Sequence, residues 1–327
     1  MLLKAMSTAS EPLVRPILGY RTKLGSMWEA KIESFLDSAE GKRLQGKVDL
    51  IFTSPPYPLV KEKKYGNKKG DEYLTWMSEL APKLADLLAP TGSLVIELGN
   101  AWQPGSPTMS TLPLRTLLAV QEAAQLHLCQ HLVWHNPARL PSPAQWVTVE
   151  RIRLKDSFTH VWWMSKTERP KATNKNVLLP YSKDMQDLLR KGTYNAGRRP
   201  SGHVVSETGF FANHGGSISP SVLSLNGEVD RIPESLLKLS NTKWDIDYVS
   251  HCRNNFIDPH PARMPMQLAG FMINMLTDKK DLVLDPFAGS NTTGASAETL
   301  GRRWAAIEMN AQYIEGSRAR FATSMID

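Results

Sequence analysis

The run Leu282-Val283-Leu284-Asp285-Pro286-Phe287-Ala288-Gly289-Ser290-Asn291-Thr292-Thr293-Gly294 limits the possible folds more than any other part of the chain. Three apolar residues and an acid read as a buried strand. Gly289 permits a turn, and Ser290, Asn291 or Thr292 can cap a helix continuing through Ala295-Ser296-Ala297-Glu298. Strand, glycine turn and helix in that order make a nucleotide-type site at the carboxyl edge of an open α/β sheet. Apolar runs at 48–53, 93–98, 132–134, 158–164 and 304–307 alternate with helical patterns at 71–88, 114–126 and 268–276. That alternation predicts an α/β fold with a doubly wound, mostly parallel sheet.

What the turn would hold follows from what it lacks. The Gly289 to Gly294 spacing imitates a phosphate loop, but Ala295 stands where the lysine belongs, so a triphosphate would not be held. The middle glycine of a dinucleotide fingerprint is also missing, which argues against close approach of a pyrophosphate. A cofactor without phosphates remains, and S-adenosylmethionine fits. Asp285 at the strand end can meet its ammonium, and Glu308, closing the run Trp304-Ala305-Ala306-Ile307, can accept from both ribose hydroxyls. Glu308 follows Asp285 at close to the roughly 20-residue spacing at which a ribose-binding acid follows a first βα turn.

A second stretch, Ser54-Pro55-Pro56-Tyr57, ends the strand pattern Val48-Asp49-Leu50-Ile51-Phe52-Thr53 in a rigid loop. It offers a hydroxyl, two carbonyls oriented by proline and an aromatic plane, a set suited to a flat ring that bears an amine. To alkylate such an amine, both N–H groups must be held so that the nitrogen pyramidalises. Ser54 Oγ can accept one hydrogen bond and the Pro55 carbonyl the other, with Tyr57 stacked on the ring.

Lysine and arginine total 39 against 32 acids in 327 residues, a net charge of +7, which favours a polyanionic partner. Lys63, Lys64, Lys68 and Lys69, just after the reactive loop, are placed to clamp phosphates. Between residues 168 and 255 periodicity fades, and Arg, Asn, Ser and His gather around Arg198, Arg199, Ser201 and His203. These side chains pair with base edges and phosphates, so this stretch is expected to recognise a nucleic-acid target. Cys129 and Cys252 are too few for a disulfide framework or a cysteine zinc site, and no histidine spacing suits zinc, so no metal is expected. No signal-peptide pattern or apolar run near 18 residues occurs, which points to the cytoplasm and away from membranes. At the start of the chain, Met27, Ile32, Phe35 and Leu36 predict a helix over 27–36. Asp71 is expected to cap the helix whose face carries Tyr73, Trp76, Met77, Leu80, Leu84, Leu87 and Leu88, with both aromatics in the core.

Together, Ser54-Pro55-Pro56-Tyr57 early and Asp285-Pro286-Phe287-Ala288-Gly289-Ser290 late resemble the amino-group DNA methyltransferases of the permuted β class, specifically the N4-cytosine enzymes of bacterial restriction-modification systems. The likeness extends to Asn136-Pro137-Ala138-Arg139-Leu140-Pro141-Ser142-Pro143, Val161-Trp162-Trp163, Arg199-Pro200-Ser201-Gly202-His203, Gly215-Gly216-Ser217-Ile218 and His260-Pro261-Ala262-Arg263, and so spans most of the chain. It implies a circularly permuted methyltransferase sheet with a catalytic half at 1–167, a target-recognition insertion at 168–255 and a cofactor half at 256–327. Ser54, Pro55, Pro56 and Tyr57 would be catalytic. Asp285, Phe287, Gly289, Ser290, Asn291, Thr292 and Glu308 would bind S-adenosylmethionine. The partner would be double-stranded DNA with the target base flipped out, in a bacterial cytoplasm at the nucleoid, with a separate cognate restriction endonuclease. The family's acidic triplet near the cofactor adenine has no counterpart in Gly25-Ser26-Met27-Trp28-Glu29-Ala30-Lys31. Adenine N6 is the nearest alternative target, disfavoured because Ser54 stands where adenine enzymes usually carry Asp or Asn. An RNA methyltransferase and a non-catalytic DNA-binding protein are further alternatives. Neither cysteine lies in a reactive-looking motif, which counts against cytosine C5 chemistry.

Overall fold

The structure, a computed structural model, describes residues 15–57, 68–192, 196–206, 209, 211–224, 233, 236, 243–321 and 324–326. Its centre is one ten-stranded sheet. In chain order the strands are β1 (Ile17–Thr22), β2 (Gly25–Glu29), β3 (Val48–Thr53), β4 (Leu88–Gly99), β5 (His127–His135), β6 (Phe158–Ser165), β7 (Val222–Leu223), β8 (Leu282–Asp285), β9 (Arg303–Glu308) and β10 (Met325–Ile326). Across the sheet they run β7-β5-β6-β4-β3-β8-β9-β2-β1-β10. The five central strands, β4-β3-β8-β9-β2, are parallel; β6 and β1 turn the sheet antiparallel on either flank.

Helices cover both faces, which is why the central strands are apolar on both sides instead of alternating. Leu50, Phe52 and Val283 enter one layer with Phe271 and Ile273 of α6 (Met266–Leu276); Ile51 and Leu284 enter the other with Tyr73, Leu80 and Leu84 of α2 (Gly70–Leu87). Each such side chain contributes about 1.5–3 kcal/mol by leaving water. Among the described residues the other α-helices of more than one turn are α1 (Ile32–Asp37), α3 (Leu112–Ala124), α4 (Lys183–Lys191), α5 (Lys243–Asn254), α7 (Thr292–Leu300) and α8 (Ala311–Ser317).

Two local expectations fail for identifiable reasons. The helix foreseen over 27–36 is a strand followed by a shorter helix. Gly25 to Glu29 pair in parallel with β9, where a Cβ on Gly25 would lie 2.2 Å from Trp304, so the missing side chain admits the indole and the sheet takes the segment. Only Ile32, Phe35 and Leu36 remain helical and buried, in α1. Asp71 does not cap α2: Lys69 is the N-cap residue, and Asp71 lies in the first turn and accepts from Arg115 Nη2 at 2.9 Å.

Within 168–255, α4 and α5 are helical and Val222–Leu223 extends the sheet in parallel with β5. No described helix is long and apolar enough to cross a membrane.

Candidate active site

The chain leaves β3 towards one flank through β4 and leaves β8 towards the other through β9, so their shared edge is a topological switch point. Val283 pairs with Leu50 and Leu284 with Ile51, and Thr53 Oγ1 donates to Asp285 Oδ1 at 2.8 Å. The two motif loops therefore emerge side by side although they lie far apart in sequence. They open into one cavity of about 1400 Å³. Its wall includes Ser54, Pro55, Pro56 and Tyr57 on one side and Asp285, Phe287, Gly289, Ser290, Thr292 and Glu308 on the other.

On the β8 side the acids are already organised by the protein. Asp285 Oδ1 accepts from Thr53 Oγ1 and from Phe287 N at 3.1 Å, while Oδ2 accepts from Thr293 Oγ1 at 2.7 Å. Burial pushes its carboxyl up to about 6, against the pull of those donors. Glu308 spans two turns: Oε2 accepts from Gly289 N at 2.8 Å and Oε1 from Asn310 N at 2.9 Å. Burial raises its carboxyl too.

Gly289 has φ +51°, and a Cβ there would stand 3.0 Å from His260 Nε2, so the bend needs glycine twice over. His260 Nδ1 donates to the Ala262 carbonyl at 2.6 Å, and its ring meets Tyr313 edge-on at 4.6 Å. Asn291 lies outside the cavity wall: it is the N-cap of α7, accepting from Gly294 N at 3.1 Å and donating to Tyr20 Oη at 2.9 Å. Arg320, fully buried, donates through Nε to the Ser290 carbonyl at 2.9 Å and through Nη2 to Asp245 of α5 at 2.8 Å.

Two buried carboxylates beside a glycine bend suit hydroxyls and an ammonium and repel phosphates. The residues present therefore fit S-adenosylmethionine, whose ammonium and ribose hydroxyls Asp285 and Glu308 could receive. Glu29, Ala30 and Lys31, at the end of β2, also join the wall beside Glu308.

On the β3 side one carboxylate organises everything. Ser54 Oγ donates to Glu97 Oε2 at 2.7 Å, and Tyr57 Oη donates to Glu97 Oε1 at 2.6 Å and to Oε2 at 2.7 Å. Because its hydrogen is committed to Glu97, Ser54 Oγ keeps its lone pairs for a donor in the cavity. Burial, then the neighbouring Glu97 charge, hold the Tyr57 hydroxyl well above its ordinary value, so it stays a donor. Gly99, in β4, lets the Tyr57 ring close onto the strand: a Cβ would lie 2.5 Å from it.

Glu97 escaped the motif reading. The signal was an acid in the apolar strand Leu94-Val95-Ile96-Glu97-Leu98, 2% exposed, which needs partners to sit there. Trp76 also differs from expectation. It lines the cavity, donates to Glu33 at 2.8 Å and packs edge-on against Phe287 with centroids 5.6 Å apart. Trp134, Asn136 and Arg139 of the β5 end complete the far wall.

Lys63 and Lys64 fall outside the described residues. Lys68 lines the cavity mouth and pairs with Glu72 at 3.0 Å, and Lys69 starts α2. Arg198, Arg199, Ser201 and His203 lie on a small hairpin, with Gly197–Arg198 antiparallel to Val204–Val205 and Arg199 N donating to the His203 carbonyl at 2.7 Å. None of these four lines the cavity.

Residues 48–319 match the family model described as DNA methylase. The type II methyltransferase M.PvuII of Proteus hauseri is 37% identical over 313 residues, covering 94% of this chain and 86% of that protein. The solved PvuII DNA methyltransferase, cytosine-N4-specific, superposes with a TM-score of 0.69 at 32% identity over 93% of this chain and 88% of that one. TTHA0409 of Thermus thermophilus, solved with S-adenosyl-L-methionine, shares the fold at 17% identity and a TM-score of 0.51, covering 92% of this chain and 97% of that one.

Proposed function

Because the chain belongs to the DNA methylase family, we propose that it is a sequence-specific DNA methyltransferase that methylates N4 of cytosine in duplex DNA, using S-adenosylmethionine. The observation that carries this reading is the single cavity in which Ser54 and the Asp285–Glu308 pair meet across the β3–β8 seam. S-adenosylmethionine, when bound, supplies an electrophilic methyl group on a sulfonium centre.

The chain's own residues do the rest. A base amine is a poor nucleophile because its lone pair is delocalised into the ring. Ser54 Oγ accepts one amine hydrogen and the Pro55 carbonyl the other, which localises the lone pair on nitrogen. Tyr57, tethered to Glu97, gives the extruded base an aromatic face. Extrusion costs a few kcal/mol of unstacking, which stacking and phosphate contacts offset. After transfer the amine's proton would pass to Ser54 Oγ as the hydrogen of Ser54 moves to Glu97 Oε2, which takes up the charge.

Asp285 would meet the cofactor's ammonium and Glu308 its ribose, with Phe287, Gly289, Ser290 and Thr292 forming the walls and Asn291 holding the turn. Lys63, Lys64, Lys68 and Lys69 clamp phosphates. Residues 168–255, including Arg198, Arg199, Ser201 and His203, read the duplex between a catalytic half at 1–167 and a cofactor half at 256–327. The kinship with a type II methyltransferase supports a separate endonuclease of the same specificity as partner, and the bacterial nucleoid as the place of action.

The deciding experiment is mass spectrometry of nucleosides from DNA incubated with enzyme and S-adenosylmethionine. N4-methylcytosine is expected; N6-methyladenine without it would refute the assignment.

A further inference from the structure

Arg139 lies in the wall of the cavity, on the turn that follows β5, and its guanidinium is braced from behind. Nη1 donates to Asp156 Oδ2 at 2.9 Å and to the Phe158 carbonyl at 3.1 Å. Asp156 Oδ1 accepts from Asn100 Nδ2 at 2.9 Å, and Asn100 Oδ1 faces His160 Nε2 at 3.0 Å. His160 Nδ1 meets His131 Nε2 at 3.0 Å.

The donor logic of this chain has one solution. Asn100 must turn its amide nitrogen to the carboxylate, so its oxygen accepts, His160 carries its proton on Nε2, and His131 donates to His160 Nδ1. Burial lowers His160 to about 4, so the relay stays neutral and the orientation holds at neutral pH. The backbone is fixed as well: Asn136 Oδ1 accepts from Ala138 N at 3.1 Å, and Asn136 N donates to the Ser157 carbonyl at 2.7 Å.

All this order ends in a guanidinium whose Nε and Nη2 have no acceptor among the described residues and are not enclosed by protein. Arg139 shares the cavity wall with Ser54, Pro55 and Tyr57, the reactive loop.

We infer that Arg139 selects the target base, its Nε and Nη2 donating to N3 and O2 of cytosine while Ser54 and Pro55 hold N4. The inference rests on the proposed amine methylation and goes further by naming the group that tells one amine-bearing base from another. Beside its amine, cytosine presents two adjacent acceptors, N3 and O2, which a planar guanidinium fork meets in two parallel hydrogen bonds. Adenine presents one acceptor, N1, and then a C–H, so one donor of the fork would be left unpaired.

Ser54 follows β3 and Phe158, the carbonyl that anchors Arg139 Nη1, opens β6, two strands away with β4 between them, so Ser54 and the guanidinium border the same cavity.

The test crosses one side chain with one atom of the base. Duplexes would carry, at a methylated position mapped by sequencing, either cytosine or a 2-aminopyridine C-nucleoside, which keeps the amine and ring nitrogen but lacks O2. The wild-type enzyme is expected to prefer cytosine by about ten- to hundredfold in kcat/KM. Arg139→Ala should lose more on cytosine than on the analogue, where only the hydrogen bond to the ring nitrogen is removed, and so erase the preference, with its affinity for S-adenosylmethionine unchanged. Arg139→Lys, which keeps the charge without the fork, should also lose most of the preference. An equal loss on both duplexes, the behaviour of a phosphate clamp, would overturn the inference, as would a preference that survives both substitutions. A wild-type enzyme that forms no N4-methylcytosine on the cytosine duplex would instead sink the proposed function itself.

Discussion

At the ends of β8 and β9, two acids accept hydrogen bonds mostly from the backbone and hydroxyls of their own neighbourhood: Phe287 and Thr293 for Asp285, Gly289 and Asn310 for Glu308. At the end of β3 the relation is reversed. There two hydroxyls, Ser54 and Tyr57, converge on one acid, Glu97, supplied by the next strand. The β8 side presents carboxylates whose orientation is set by neighbouring donors. The β3 side presents hydroxyl lone pairs and an aromatic plane whose orientation is set by a carboxylate. One wall is thus shaped to receive cationic and hydroxyl groups, and the other to receive the hydrogens of an amine.

That contrast breaks first if Ser54→Ala leaves turnover intact. We expect a fall of about 10²- to 10³-fold in single-turnover rate, the scale for removing one preorganised polar group at a reacting centre. The dissociation constants for DNA and S-adenosylmethionine should move little, and an equal loss in DNA affinity would remove Ser54 from the chemistry. Asp285→Asn and Glu97→Gln should then separate the two walls. The first is expected to weaken S-adenosylmethionine binding by about tenfold or more, the cost of removing a charge-assisted hydrogen bond, with kcat at saturating cofactor largely kept. The second should lower kcat by about tenfold and leave cofactor affinity alone. Calorimetry and steady-state kinetics on both variants would expose any crossing of these effects.

A pH series sharpens the cofactor side. Burial raises Asp285 to about 6, so below that pH a proton competes with the ammonium for the same carboxylate. Affinity for S-adenosylmethionine is expected to be level above pH 7 and to fall by about tenfold per pH unit well below 6, and Asp285→Asn should flatten this slope. The smallest effect belongs to the four lysines that follow the reactive loop in sequence. Replacing Lys63, Lys64, Lys68 and Lys69 by Ala should weaken binding to all DNA sequences alike and reduce the slope of log K against log salt by about 0.9 for each phosphate no longer neutralised. An unchanged slope would remove these lysines from the interface.

The same contrast explains what could be read from the amino-acid order. The cofactor wall is local: strand, Gly289, the Asn291 cap and α7 follow one another, and Glu308 comes one strand later, so each part predicts the next. The reactive wall is assembled from three strands. Ser54-Pro55-Pro56-Tyr57 stands out as a motif, but Glu97 is 43 residues from Ser54, and nothing near it says which hydroxyls it will meet. Trp76 has the spacing of a core residue on α2 and only the arrival of Phe287 from the distant turn makes it part of a wall. The misread segment at 27–36 has the same origin. Met27, Ile32, Phe35 and Leu36 carry helical spacing, and the competing attraction, pairing with β9, comes from the other end of the chain.

Arg320 has an engineering consequence. Its guanidinium, with no exposure of its own, clasps the Ser290 carbonyl with one nitrogen and Asp245 with another, riveting the stretch that would read DNA to the bend that would cradle the methyl donor. Swapping in a foreign specificity cassette without an acid at position 245 would strand a cation in the interior, a strongly destabilising outcome. Such chimeras should fail by losing grip on the donor before they choose a wrong sequence, and restoring that single carboxylate should rescue them.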